Sequence, residues 1–181
     1  MKNHIIILGP VGSGKSTQAK LLSDFLDVPT VSAGDVAYYA SLGETPEAKI
    51  IKETMQRGDL LPDDIMYNLM TEHLGSGESS KEMIIDGFPR TLPEAEMFTW
   101  PVGRVIYIDV SDGEATKRLL ARGRMDDKPD VIANRLNIYH KETEPVLEYY
   151  RSKEILLKIN GDCSPEQVFE QIKGSFEENE N

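Results

Sequence analysis

The residues that decide the fold are 4–16, HIIILGPVGSGKS, an apolar run followed by a glycine-rich turn. The apolar run predicts a buried β-strand, and Gly9 to Ser16 match the pattern G-x-x-x-x-G-K-[ST]. Ala19, Leu22 and Leu26 then fall on one face of an amphipathic helix. A strand, this turn and a helix in that order predict a loop whose backbone N–H groups and helix N-terminus hold phosphate groups.

The phosphate loop predicts binding of a nucleoside triphosphate, ATP in our interpretation. Lys15 can reach the β- and γ-phosphates, and Ser16 can offer its hydroxyl to Mg²⁺. The predicted phosphate-binding residues are Gly9, Pro10, Val11, Gly12, Ser13, Gly14, Lys15, Ser16 and Thr17. The loop leaves the reaction open, because GTPases, motors and kinases share it.

Four further apolar stretches predict strands, each followed by a helix signal rather than a hairpin turn. They are Val28 to Ser32, Met83 to Asp86, Arg104 to Val110 and Glu154 to Asn160. Near-continuous apolar strands that alternate with helices predict a parallel sheet covered on both faces. Helix starts are predicted at the capping residues Thr45, Ser111 and Ser164.

The stretch between Asp35 and Gly58 predicts two helices and is longer than a simple crossover, which indicates a small insertion.

The composition restricts the class of protein. The formal net charge is −11, which argues against nucleic acid as a partner because phosphate backbones are bound by basic surfaces. There is no apolar run long enough to span a membrane and no secretion signal. Cys163 is the single cysteine, so neither a disulfide nor a cysteine-based zinc site is expected within one chain. We therefore predict a cytoplasmic protein, a monomer or small homo-oligomer, that does not bind membranes.

Arginines and one aspartate indicate phosphoryl transfer, which needs charge neutralised around the moving group. Asp86 ends a predicted strand, where a carboxylate can hold Mg²⁺ directly or through water. Arg90 follows it in the rigid turn DGFPRT at 86–91. Four of the eight arginines cluster in an otherwise acidic chain: Arg118, Arg122, Arg124 and Arg135. His4, His73 and His140 have no partner at metal-ligand spacing and are interpreted as surface or packing residues.

With these residues in place, the chain resembles adenylate kinase and its nucleoside monophosphate (NMP) kinase relatives from end to end. The matching stretches are GPVGSGKSTQAK (9–20), SAGD (32–35), RGDLLPD (57–63), DGFPRT (86–91), RLLARGRMDD (118–127) and RLNIYHKETEPVLEYY (135–150). The resemblance implies a three-layer α/β/α P-loop NTPase fold with a five-stranded parallel sheet. It also implies one domain with three parts: a core (1–31, 62–121 and 130–181), an NMP-binding insertion at about 32–61 and a very short lid at about 122–129.

The resemblance also implies roles for individual residues. Lys15, Arg90, Arg122, Arg124 and Arg135 would be catalytic, and Arg118 and Arg122 would also bind ATP. Asp126 and Asp127 would orient the lid. The acceptor nucleotide would be bound by Ser32, Ala33, Gly34, Tyr38, Gly58, Leu61, Gly87, Arg90, Glu94, Arg124 and Arg135.

Three acceptor-side positions depart from the family pattern. Ala33 stands in place of a threonine, Tyr38 in place of an arginine and Glu94 in place of a glutamine. A phenol cannot neutralise a phosphate, and an ionised carboxylate accepts hydrogen bonds without donating any. SAGD at 32–35 resembles the pyrimidine-specific relatives, and Glu94 permits CMP as well as AMP.

The leading hypothesis is reversible, Mg²⁺-dependent transfer from ATP to AMP, which gives two ADP. A UMP/CMP kinase is the alternative. A nucleotide-binding protein with weak transferase activity is a further hypothesis, supported by Tyr38.

Overall fold

The computed structural model describes residues 3–75, 82–124 and 126–177; Met125 of the predicted lid lies outside them. The elements are, in order, β1 (His4–Leu8), α1 (Lys15–Leu26), β2 (Thr30–Ser32), α2 (Ala33–Ala40), α3 (Pro46–Arg57), α4 (Asp63–Leu74), β3 (Ile84–Asp86), α5 (Leu92–Met97), β4 (Val102–Asp109), α6 (Asp112–Arg122), α7 (Pro129–Ile138), a π-helical turn (Tyr139–Thr143), α8 (Glu144–Ser152), β5 (Leu156–Asn160) and α9 (Pro165–Glu177).

The five strands form one parallel sheet in the order β2-β3-β1-β4-β5. On the central strand β1, Ile6 pairs with Ile85 of β3 on one side and with Val105 of β4 on the other. The prediction of a five-stranded parallel sheet is confirmed, and each predicted strand end lies within two residues of the observed one. Because the strands are parallel, their carboxyl ends meet at one edge, where open α/β sheets bind ligands.

Side chains of β1 alternate between two separate apolar cores, one on each face of the sheet. Ile6 and Leu8 pack with residues of α2, α3, α4, α5 and α8. Ile5 and Ile7 pack with residues of α1, α6, α7 and α9. A strand buried on both faces is continuously apolar, so the predicted three-layer arrangement is confirmed.

The predicted helix starts are confirmed by their capping contacts. The Thr45 hydroxyl accepts from the N–H of Ala48 at 3.1 Å, and Ser111 caps α6 in the same way. At α9 the Ser164 hydroxyl accepts from the N–H of Gln167, whose side-chain oxygen accepts from the N–H of Ser164. This reciprocal pair satisfies two backbone donors that would otherwise lack partners.

The two helices predicted between residues 35 and 58 are α2 and α3. Their buried side chains Val36, Ala37 and Ile51 belong to the same apolar core as Ile6 of β1. This segment therefore shares its core with the sheet, and its division from the rest as an insertion at 32–61 stays a prediction. Within the described ranges, no helix has the length and apolarity needed to cross a membrane.

The π-helical turn between α7 and α8 was not predicted. Such a turn adds one residue to a helix without changing its composition, so helical periodicity does not mark it. It carries Tyr139 and Thr143, both buried. Its position matters because Thr143 contacts the predicted catalytic turn, as described below.

Candidate active site

The phosphate loop joins the carboxyl end of β1 to α1. Gly14 caps the helix with φ 89°, a left-handed conformation that glycine adopts without strain. Gly12 has φ +83°, and a Cβ there would lie 2.7 Å from the backbone oxygen of Ala115. Both the conformation and the close packing on α6 therefore explain a glycine at position 12.

Lys15 holds its ammonium group over the loop, where Nζ donates to the backbone oxygen of Pro10 at 2.8 Å. Burial lowers its pKa to about 8; the negative charge of Asp86 opposes this shift, and the positive charges of Arg90 and Arg122 add to it. The four charged groups thus lie close enough to influence one another. A polyphosphate among them would favour the charged ammonium.

Ser16 and Asp86 meet across the loop. The Ser16 hydroxyl donates to Oδ2 of Asp86 at 2.6 Å. Asp86 is buried at the end of β3, beside Ile7 of β1, so the sheet register fixes its position. A hydroxyl and a carboxylate are hard oxygen ligands of the kind that Mg²⁺ takes, so this pair fits the predicted metal role.

The backbone of Arg90 is held from two directions. Its N–H donates to Oε2 of Glu94 at 2.6 Å, and its carbonyl accepts from the hydroxyl of Thr143 at 2.9 Å. Its side-chain Nε donates to the carbonyl of Gly87 at 2.6 Å, which bends the guanidinium back over the turn. Burial lowers the pKa of Arg90, with Glu94 and Asp86 opposing. Thr143 was missed by sequence reasoning, although it lies in the stretch 135–150 that carries the resemblance.

Glu94 was predicted to contact the acceptor base; in the structure it contacts the backbone of Arg90. Its side chain is only 2% exposed and faces the backbone of Arg90 and the N-terminus of α5. Burial raises its pKa to about 7, while the N–H and the charge of Arg90 act in the opposite direction. Glu94 is therefore a support of the Arg90 turn, and its contact with a base stays a prediction.

The arginines near the predicted lid form ion pairs with the two aspartates expected to orient it. Arg122 makes a two-pronged contact with Asp127, at 2.9 and 2.6 Å. Asp127 is buried and also accepts from the backbone N–H of Arg124 at 2.9 Å. The hydrogen bond from Arg122 lowers the pKa of Asp127. The Arg124 side chain is exposed and donates to none of the described residues.

Arg118 lies apart from this group. It pairs with Glu114 at 2.9 Å and donates to the carbonyls of Gly161 and Cys163, in the loop after β5. The structure therefore brings Lys15 near Asp86, Arg90 and Arg122, whereas Arg118 faces a different loop.

On the predicted acceptor side, Ser32 caps α2 by accepting from the N–H of Asp35 at 3.3 Å. Ala33 is buried and Gly34 half-buried in the first turn of that helix. Tyr38 is 53% exposed, and its ring packs edge-on against Tyr39. Its hydroxyl bonds to none of the described residues.

The end of α3 packs closely on α7. Gly58 is buried with φ +78°, and a Cβ there would lie 2.9 Å from Val131 and 3.1 Å from Arg135. The Asn134 amide donates to the carbonyl of Arg57 at 3.1 Å and to Oδ1 of Asp59 at 3.0 Å. Leu61, three residues after Gly58, is also buried. Asn134 was also missed, because a lone helical asparagine carries no sequence signal.

Comparison with known proteins places this arrangement in a family. The family model described as adenylate kinase matches residues 7–155. Adenylate kinase 1 of Nostoc sp. is 38% identical over 180 residues, covering 96% of this chain and 98% of its own. Adenylate kinases of Encephalitozoon cuniculi and Thermus thermophilus are 39% and 34% identical, covering 97% and 95% of this chain and 98% and 96% of theirs. These relatives favour the adenylate kinase interpretation over the UMP/CMP kinase alternative. The chain belongs to the adenylate kinase family.

Proposed function

We propose that this chain transfers the terminal phosphoryl group of ATP to AMP, reversibly, and so gives two ADP. The observation that carries the proposal is the convergence of Lys15, Asp86, Arg90 and Arg122 beside the phosphate loop. Membership of the adenylate kinase family supports both the reaction and the acceptor. The same convergence favours transfer over nucleotide binding alone, because phosphoryl transfer needs charge neutralised around the moving group.

For this reaction the protein positions the two nucleotides and supplies positive charge; it forms no covalent intermediate. A phosphate oxygen of AMP attacks the γ-phosphorus of ATP and forms a new P–O bond. The bond between that phosphorus and the β–γ bridging oxygen breaks, and the electron pair stays with ADP. The transferred group carries charge on three oxygens, so cations fixed around it lower the barrier.

On the donor side, the backbone N–H groups of residues 9–17 would cradle the ATP phosphates. Lys15 would leave the carbonyl of Pro10 and turn to the β- and γ-phosphates. Arg122 lies near Lys15 and would bind the same phosphates, with its orientation maintained by Asp127. Arg118, at the loop after β5, would contact the remainder of the ATP molecule.

Mg²⁺ would be held by Ser16 and Asp86, directly or through water, given their 2.6 Å contact. When bound, the ion would neutralise negative charge on the ATP phosphates. Asp86 is positioned for this by β3, independently of the nucleotide.

On the acceptor side, Arg90 would bind the AMP phosphate, and Arg124 and Arg135 would contact the moving phosphoryl group. The segment 32–61 would act as the AMP-binding insertion, with Gly58 and Leu61 near the base. Residues 122–129 would act as a short lid. Arg124 supports this assignment, because its backbone is fixed by Asp127 while its guanidinium is free of hydrogen bonds to the described residues.

A direct test measures ADP formation by ³¹P NMR in mixtures of the purified chain, ATP, AMP and Mg²⁺. Two ADP are expected for each ATP consumed. Lys15→Met should lower the rate by about 10²-fold or more, because the positive charge of Lys15 beside the transferring group is lost. Lys20→Met is the matched control, because Lys20 is exposed on the same helix, and it should retain the wild-type rate. Consumption of ATP that gives one ADP and one inorganic phosphate, with AMP unchanged, would contradict the proposal.

A further inference from the structure

We propose that Asn134 is a positioning residue that couples the acceptor-binding segment to the helix that carries Arg135. This inference rests on the proposed function and names a residue that the reaction itself does not use. Asn134 lies on α7, next to Arg135, and is half-buried. Its amide donates two hydrogen bonds across to the end of α3, one to a backbone carbonyl and one to a carboxylate.

The two acceptors belong to the point where the segment 32–61 turns back towards the sheet. Arg57 ends α3, and its carbonyl is one of the last of that helix, which has no partner within the helix. Asp59 follows the left-handed Gly58 and is also bound by Nε of Arg57 at 2.8 Å. One amide group therefore satisfies a helix end and anchors the turn that follows it.

The contact between the end of α3 and α7 also bears on the proposed reaction centre, through Arg135, the residue after Asn134. Arg135 Nη2 donates to Oδ2 of Asp126 at 2.7 Å, at the predicted lid. The stem of Arg135 lies so near Gly58 that a Cβ there would approach it to 3.1 Å. A shift of the α3 turn relative to α7 would consequently displace Arg135 as well as the acceptor segment. Asn134 fixes that relative position by directional bonds, which the apolar contact of Val131 cannot do.

Exchanging the hydrogen-bond donor and acceptor between Asn134 and Asp59 tests the proposal. Asn134→Asp replaces the donor by a carboxylate that faces both Asp59 and the Arg57 carbonyl, so both contacts become repulsive. Asp59→Asn alone keeps an oxygen acceptor for Asn134 and should have little effect. The double variant Asp59→Asn with Asn134→Asp restores a donor and an acceptor, in exchanged positions, at the contact with residue 59, while the Arg57 carbonyl still lacks its donor. Asn137→Ala, on the exposed side of the same helix, is the control.

The measurement is steady-state kinetics with AMP and ATP varied separately, together with thermal unfolding. Asn134→Asp should lower kcat/KM for AMP about tenfold, the loss expected for one to two hydrogen bonds, and change KM for ATP less than about twofold. The double variant should recover to within about threefold of the wild type. Equal losses for ATP and AMP without rescue, or no loss at all, would overturn the coupling role. A wild-type chain that fails to use AMP would instead refute the proposed function.

Discussion

The hydroxyl of Thr143 donates to the backbone carbonyl of Arg90 across 2.9 Å, although the two residues are 53 positions apart. Thr143 is buried in the π-helical turn, and Arg90 lies in the turn after β3. The helical stretch that carries Arg135 in α7 and Thr143 in the following π-helical turn thus also fixes the backbone of Arg90. One helical stretch therefore positions two of the predicted catalytic arginines, Arg90 and Arg135.

Thr143→Val should lower kcat/KM for AMP about five- to twentyfold, because a buried carbonyl loses its partner and the Arg90 turn loosens. Thr143→Ser keeps the hydroxyl and should retain most of the activity. Thr71→Val is the control, because it removes a comparable hydroxyl bond, to Tyr67, within α4. Steady-state kinetics of the three variants check this. Equal activity losses in Thr143→Val and Thr71→Val would contradict a specific role for Thr143.

Gly58→Ala and Gly123→Ala form a matched pair, because both glycines end a helix in the left-handed conformation. Both substitutions should destabilise by about 1–2 kcal/mol from backbone strain. A Cβ added at Gly123 would meet no atom of the described residues, whereas one at Gly58 would meet Val131 and Arg135. Urea unfolding should therefore show a larger loss for Gly58→Ala, together with a raised KM for AMP. Indistinguishable unfolding curves for the two variants would show that the end of α3 is not tightly packed against α7.

Glu94→Gln should change how stability depends on pH. Burial raises the folded-state pKa of Glu94 to about 7, above the ordinary value of 4.5. Between these values the folded chain holds a proton that the unfolded chain releases, so this group lowers stability as the pH rises through the interval. A glutamine stays neutral and can still accept from the N–H of Arg90. The variant should match the wild type near pH 4.5 and exceed it by about 1–3 kcal/mol near pH 8.

Urea unfolding of Glu94→Gln at several pH values from 4.5 to 8 checks this, with Glu96→Gln on the exposed side of α5 as the control. Parallel profiles for wild type and Glu94→Gln would mean that Glu94 is ionised in the folded chain throughout this range.

His140→Gln should lower stability, whereas Glu94→Gln should raise it; in both cases the wild type loses stability relative to the variant as the pH rises. His140 bonds Glu144 at 2.8 Å and Asp112 at 3.0 Å, and these two carboxylates raise its pKa above 6.5. The stabilising contribution is therefore complete below pH 6.5 and is lost as the pH rises through the folded-state pKa. The variant should be less stable than the wild type at pH 5.5, and the difference should shrink by pH 9. Thermal unfolding at several pH values checks this, with His73→Gln, at an exposed histidine of α4, as the control.

The sheet and the glycine-rich loop after β1 were predictable because their signals are local. A run such as residues 4–8 is apolar throughout only when both faces are covered, and the glycines of the loop have conformations that few other residues accept. Helix starts followed from caps such as Thr45 and Ser164. The strand at 28–32 begins two residues late because Asp27 is left-handed and Pro29 lacks an N–H.

The supporting contacts were not predictable, because each joins residues distant in the chain. Thr143 and Asn134 look like ordinary helix residues, and only the packed fold brings them to Arg90 or to the end of α3. Conversely, Arg118 and Arg122 share a helix and a face, yet their partners lie in different loops. Periodicity assigns a side chain to a face but does not identify its partner.

A panel of acceptor nucleotides tests whether the chain transfers phosphate to AMP despite Ala33, Tyr38 and Glu94. ADP formation from ATP would be measured with AMP, CMP and UMP in turn, and kcat/KM compared. We expect AMP to be the preferred acceptor by about tenfold or more, because a site built for one base leaves polar groups unpaired with another. Faster turnover of CMP or UMP than of AMP would contradict it.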